Sequence, residues 1–234
     1  MFIEYAGGNW QSSVMDEPVT ETRSTESTTQ RAYFALRNDI IFGRIPPGQR
    51  LKIDTLKETL ETGASPVREA LSLLTSDQLV DRIDQRGFRV AQTSREQFQE
   101  ILNLRCNLED LAVRDSVKHA DLQWEDALVL SHHHMVRARQ KDLETFEASH
   151  RAFHMALLAA CQSPILLRFC SQLYDLNVRY RHLAGKSKGY DRRDVDAEHQ
   201  AILDAAVERD VDTVSARLMQ HYRNTGAFLV EQID

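Results

Sequence analysis

The chain has 234 residues, 42% of them hydrophobic, and a formal net charge of −6. That is enough apolar material for one large or two modest packed domains, while no apolar run reaches the length of a membrane span. The acidity excludes a surface coated throughout with cations, and three cysteines without a CxxC spacing (Cys106, Cys161, Cys170) predict buried, reduced thiols rather than a disulfide framework.

The first 28 residues hold one Arg and five acids. MFIEYAGGNW has no basic stretch followed by an apolar run, which predicts no secretory signal and a cytoplasmic location. The polar, Thr- and Ser-rich stretch TETRSTESTTQ predicts a disordered tail over residues 1–28. From Tyr33 the pattern turns helical, with Phe34, Leu36, Ile40 and Ile41 near helical spacing and Gly43 ending it. RIPPGQRLK is a turn, because Pro46, Pro47 and Gly48 exclude helix. IDTLKETLET predicts a short second helix capped by Asp54. A third runs from Pro66 to about Gln78, with Ser65 as N-cap and Pro66 at the first helical position. LVDRIDQRGFRVAQ then alternates apolar and polar residues about DQRG, which predicts a hairpin with Gly87 in its turn. Three helices and a hairpin over residues 29–93 describe a winged helix-turn-helix. With ten basic and eight acidic residues, this is the only net-positive segment.

After Ser94 the strand signal ends. Ser94 and Gln97 match a capping box, and Phe98, Ile101, Leu102, Leu108, Leu111 and Ala112 recur on helical faces. Further amphipathic helices are expected at about 123–139, 142–161, 163–184, 192–208 and 210–231, with Pro164, Gly185 and Gly189 as punctuation. Residues 94–234 therefore read as an all-α bundle, and the whole chain as mostly α.

Four stretches in a fixed order, IIFGRIPPGQRL, SPVREALSLL, DQLV and QRGFRVA, followed by this bundle, resemble the GntR superfamily of bacterial transcription regulators. The likeness is to the FadR-type subfamily with an FCD effector domain. It implies a DNA-binding repressor rather than an enzyme, acting as a homodimer on double-stranded operator DNA. It also implies that the SPVREAL helix enters the major groove, with Arg68 at a base-contacting position. An Arg there can form two parallel hydrogen bonds with guanine O6 and N7. Ser65 and the neighbouring N–H groups would bind phosphate. Arg86 and Gly87 of the wing would lie near the minor groove or backbone. Many relatives read S-R-T-P where this chain has Gly63-Ala64-Ser65-Pro66, so base readout should differ from theirs.

HRAFH sets His150 and His154 at i and i+4, on one helical face, close enough to share a metal. By itself the spacing is equally that of two surface histidines. The resemblance implies that His154, His199 and His221 match three metal-binding histidines, with His150 where the family has Asp or Asn. His150 either ligates or turns away. Imidazole donors suit a divalent transition metal such as Zn²⁺ or Ni²⁺. Arg105, in the pattern R-x-x-L-E, matches a pocket-facing Arg. Arg179 and Arg181 are further candidates for an effector carboxylate, two residues apart and so on different faces. The effector implied is a small carboxylate, with a dicarboxylate such as glutarate the first to consider. His132, His133 and His134 point in different directions and are expected at the surface. Two other functions fit parts of the chain. A metal-dependent hydrolase would need a general base beside the metal: Glu147 lies one turn before His150, but there is no H-E-x-x-H, Glu198 would point away from His199 on a helix, and the winged helix would be unexplained. A DNA-binding dimer without an effector would leave the histidines unused.

Overall fold

The computed structural model describes residues 27–84, 86–184 and 194–233. The tail expected over residues 1–28 falls, as far as residue 26, outside these, as do Gln85, Gly185 and Gly189. Helix α1 (Thr28–Ile41) opens on a full capping box: the Ser27 hydroxyl accepts from the Gln30 N–H and the Gln30 side chain reaches back. Its buried stripe is Ala32, Leu36, Ile40 and Ile41. Phe34, expected on that stripe, is 46% exposed, because it stands two residues from Leu36 and so on the opposite face. Gly43 ends the helix at φ +71.

Strand β1 (Arg50–Leu51) follows the turn and escapes sequence reading, since two residues carry no alternation. Helix α2 (Ile53–Thr59) has Lys52, not Asp54, at its N-cap. Asp54 lies within the first turn, paired with Lys57 at 3.3 Å. Helix α3 (Ala64–Ser76) also begins earlier than expected, with Gly63 at its cap, so Ser65 is not a capping residue. Its first helical bond runs from the Val67 N–H to the Gly63 carbonyl. Pro66 is therefore third in the helix, where a missing N–H still costs no hydrogen bond. Strands β2 (Val80–Ile83) and β3 (Gly87–Val90) form the expected hairpin. β1 joins its other edge to give an antiparallel sheet of order β1-β3-β2. Gly87 at φ +92 supplies a backbone conformation that an L side chain rarely adopts.

The rest is helical: α4 (Arg95–His119), α5 (Leu122–Ala138), α6 (Leu143–Leu158), α7 (Pro164–Leu183), α8 (Val195–Val207) and α9 (Val211–Val230). Side chains of Ser94, Asp121, Asp142, Ser163, Asp194 and Asp210 cap them in turn. At Ser94 only half of the capping box forms. The Ser94 N–H meets the Tyr180 hydroxyl at 3.4 Å, and that hydroxyl donates to Gln97 at 2.8 Å. Leu111, expected in the core, is 59% exposed, whereas Phe98, Ile101, Leu102 and Ala112 are buried. All three cysteines are buried free thiols. At Gly226 of α9 an added Cβ would stand 2.2 Å from Leu102 Cδ2, so α4 and α9 pack directly against the bare backbone. Among the described residues, no helix is long and apolar enough to cross a membrane.

The winged helix and the bundle share one apolar cluster. Leu36, Ile40, Leu71 and Val90 belong to the same core as Phe98, Leu173, Leu176, Val178 and Tyr180. Polar links flank it: Arg37 to Asp175 at 2.5 Å, Arg44 to Glu144 at 2.6 Å, and Arg179 to the Ala91 carbonyl. A second cluster, including Leu128, Phe153, Leu157, Ile202 and Leu218, fills the bundle around the histidines.

Candidate nucleic-acid interface and metal centre

The tip of α3, the start of α2 and the wing surround an open concavity of about 360 Å³. Arg68, Arg86 and Gly87 line it, together with Arg50, Lys52 and Ala64. Ser65 is exposed beside it, near the free N–H groups of the helix tip. Arg68 has no acidic partner among the described residues, whereas its neighbour Glu69 accepts from Thr29 at 2.8 Å. An exposed cation at a helix N-terminus gains nothing from the helix dipole. Its charge and its donors are left for something outside the chain. The structure brings Arg68, Arg86 and Gly87 to one concavity, while Ser65 is exposed in the first turn of α3 and does not line it. Arg50 and Lys52 line the concavity too, unmarked in the sequence because β1 was not legible.

The four histidines converge in the bundle. Helix α6 contributes His150 and His154, α8 His199 and α9 His221. All four are buried, and one ring nitrogen from each lies within 4.8 Å of the others. His150 faces the cluster: its Nε2 is 3.2 Å from His154 Nε2. Two lone pairs at that distance repel unless a proton or a cation lies between them. The opposite ring nitrogens are held from other helices. His150 Nδ1 is 2.6 Å from the Tyr174 hydroxyl, His154 Nδ1 is 3.1 Å from the Tyr222 hydroxyl, and His221 Nδ1 is 2.7 Å from Glu198. Such partners fix the tautomer that turns an Nε2 lone pair inward. His199 is different, with both ring nitrogens buried and neither with a hydrogen-bond partner.

Burial favours the neutral form of His150, His154 and His199. It pushes His150 and His154 well below the usual imidazole value, and the nearby histidines and arginines push the same way. His199 is lowered to about 2, first by burial and then by His221. A nitrogen-only donor set with an unpartnered ring fits a divalent transition metal.

Arg105 is buried beside the cluster. Its Nε donates to Glu109 at 2.6 Å and its Nη1 to Asn177 at 2.9 Å. The guanidinium carbon lies 3.8 Å from the Tyr222 ring centroid and 4.8 Å from that of Tyr174. Nη2 is buried without a partner. Tyr222 also donates to Glu109, so Arg105, Glu109, Tyr222 and His154 form one continuous network. Arg181 pairs with Glu147, and its charge is felt by His150, His154 and His199. Arg179 is not brought to the cluster; it reaches the Ala91 carbonyl beyond β3.

His132 corrects the expectation for the local His run. It is 6% exposed, with its ring edge against Phe153 at 5.3 Å, while His133 and His134 are exposed. It shares the inner face of α5 with Trp124, Leu128 and Met135. Glu109, Tyr174, Asn177 and Tyr222 were missed in the sequence. Of these only Glu109 carried a signal, four residues after Arg105. Glu198, weighed as a general base, instead orients His221, and Glu147 is engaged by Arg181.

Two family models match the chain: bacterial regulatory proteins of the gntR family over residues 28–90, and the FCD domain over residues 100–224. The uncharacterized HTH-type transcriptional regulator BphR of Paraburkholderia xenovorans (strain LB400) is 36% identical over 89% of this chain and 86% of its own. The HTH-type transcriptional repressor GlaR of Escherichia coli (strain K12) is 32% identical over 83% of this chain and 92% of its own. Among solved structures, E. coli McbR/YncC superposes with a TM-score of 0.78 at 25% identity, covering 88% of this chain and 99% of that one.

Proposed function

Because the chain belongs to the gntR family of bacterial regulatory proteins and carries that family's FCD domain, we propose that it is a repressor whose operator affinity is set by a small carboxylate bound beside a metal in the bundle. A DNA-binding transcription regulator, not an enzyme, is what the family consists of. The finer reading rests on one observation above all. Arg105 Nη2 is buried without a partner next to four convergent imidazoles, and a buried donor in that state costs about 1–3 kcal/mol unless something accepts from it.

In this reading His154, His199 and His221 hold a Zn²⁺ or Ni²⁺ ion, and His150 is the fourth donor. The ion supplies positive charge and coordination positions for an anion. Arg105 grips the anion's carboxylate, with Asn177 and Glu109 fixing the plane of the guanidinium. Arg181 adds cationic potential from the Glu147 side. A dicarboxylate can meet the ion and Arg105 together, and glutarate is the first to test. At the other end of the chain, Arg68 reads a base edge in the major groove, Ser65 and the tip of α3 meet phosphate, and Arg86 and Gly87 follow the wing. A two-fold homodimer would place two such surfaces on a pseudo-palindrome. The relative named a repressor, GlaR, supports repression over activation.

The decisive measurement is operator affinity with and without glutarate, in metal-loaded and metal-stripped protein. We expect weakening by a coupling of about 1–3 kcal/mol in the loaded protein only, with operator weakening glutarate binding by the same factor. An equal response after metal removal would show that the effector does not depend on the histidines.

A further inference from the structure

The wing is tied down by a residue from outside the hairpin. Arg50 stands on β1, opposite Arg89 of β3, and its Nη2 donates to the main-chain carbonyl of Arg86 at 3.1 Å. This carbonyl lies at the turn where β2 passes into β3, closed on the other side by the Arg86 N–H bonding Ile83. Beyond it Gly87 has nothing within 4 Å of an added Cβ. Gly87 therefore faces open space, and the Arg50 guanidinium crosses from β1 to the carbonyl just before it. Arg50 is itself exposed and lines the same concavity as Arg68 and Arg86. Ala64 also lines it, and its methyl group offers no donor. The acid in the concavity, Asp54, is turned to Lys57.

We infer that Arg50 is a positioning residue for DNA recognition: it holds the wing turn where Arg86 and Gly87 can reach the duplex, and presents its remaining N–H groups to the same stretch of backbone. A guanidinium suits this double task. It has five N–H donors in a rigid fork, so one can be committed to a carbonyl while others face a phosphate. A wing held only at its strand ends would have to lose its mobility on binding, and the bond to Arg86 removes part of that cost beforehand.

The inference rests on Arg68 and Arg86 lying at DNA, so those residues are its controls. Operator affinity is measured over a range of salt for Arg50→Ala, Arg50→Gln, Arg68→Ala, Arg86→Ala and the Arg50→Ala/Arg86→Ala pair, with a thermal melt of each. Arg50→Ala is expected to weaken binding about tenfold or more and to lower the salt slope by more than the one contact its own charge explains. Because Arg50 works partly through Arg86 and partly through its own contact, the pair should bind worse than the weaker single variant but fall short of the product of the two losses. Arg50→Gln, which keeps an N–H donor on a shorter, uncharged side chain, should recover at most part of the affinity. It also serves if the Ala variant folds poorly. Wild-type affinity in Arg50→Ala with losses in Arg68→Ala and Arg86→Ala overturns the role of Arg50 and leaves the interface standing. Losses that multiply fully in the pair overturn positioning through the wing. Wild-type binding by all the variants overturns the interface itself, and the role of Arg50 with it.

Discussion

Replacing Arg105 should have two separable effects. Glu109 is fully buried, and its charge is balanced by the Arg105 guanidinium at 2.6 Å. Arg105→Ala leaves that carboxylate with only the Tyr222 hydroxyl, and removing one partner of a buried pair typically costs about 3–5 kcal/mol. At about 2–4 °C per kcal/mol for a chain of this length, the melting temperature should fall by roughly 6–20 °C. Much of that is the stranded charge and not the worth of the pair. Arg105→Met with Glu109→Gln removes both charges and keeps most of the volume, so it should recover most of the loss. Effector binding should be strongly weakened in both variants, because neither offers the guanidinium that pairs with the carboxylate. Chemical denaturation gives the stabilities, and operator affinity with and without glutarate gives the response. If Arg105→Ala costs under about 1 kcal/mol, the pair is not desolvated as argued. If the double variant responds to glutarate as the wild type does, Arg105 does not bind it.

Purified protein should carry about one divalent transition metal per chain, and changing both His199 and His221 to Ala should abolish it; unaltered metal content would remove the site. The neutral imidazoles also set a pH dependence. His199 is lowered to about 2, and His182, in the last turn of α7 and outside the cluster, to about 4 by burial and then by Arg181, so protons bind the unfolded chain first. Stability in metal-free protein is then full above about pH 6.5 and lost as pH falls, through about 4 for His182 and further for His199. Denaturation midpoints that stay flat between pH 7 and 5 would contradict this. Arg68→Ala should lose about 1–3 kcal/mol of operator affinity and relax preference at one base position, which a panel of single-base operator variants would reveal. Gly226→Val should cost about 2 kcal/mol or more, read in a urea titration, because its side chain must displace Leu102 where an added Cβ already falls at 2.2 Å.

The helices were legible because each buries one face, and the faces repeat within the element itself. Helix α4 could be traced from Phe98 to Ala112 on that basis. The same rule would have placed His132 inside, since Leu128 and Met135 flank it at i−4 and i+3; reading the three histidines as a run obscured it. Ser65 misled because Ser-Pro is a good helix opening, yet Gly63 can cap with its backbone alone and the helix starts one residue earlier than Ser65. The metal candidates came from the family resemblance, residue by residue. What surrounds them did not, because Tyr174, Tyr222, Asn177 and Glu198 meet the histidines and Arg105 from separate helices, and no local spacing encodes such contacts. β1 exists only through its pairing with β3, and with it went the two cations beside Arg68.

The apolar cluster common to both ends of the chain makes their folding one event. Opening the winged helix alone would bare Leu173, Leu176 and Val178 of α7 as well as its own core, so a single cooperative transition is expected rather than two. An ion or anion that binds only the folded bundle lowers the free energy of the whole native state, by an amount that grows as the logarithm of its concentration over its dissociation constant. The segment that meets DNA would thereby be protected from unfolding by a ligand that touches none of its residues. Starvation for that ligand would make the chain easier to degrade as well as altering its grip on the operator.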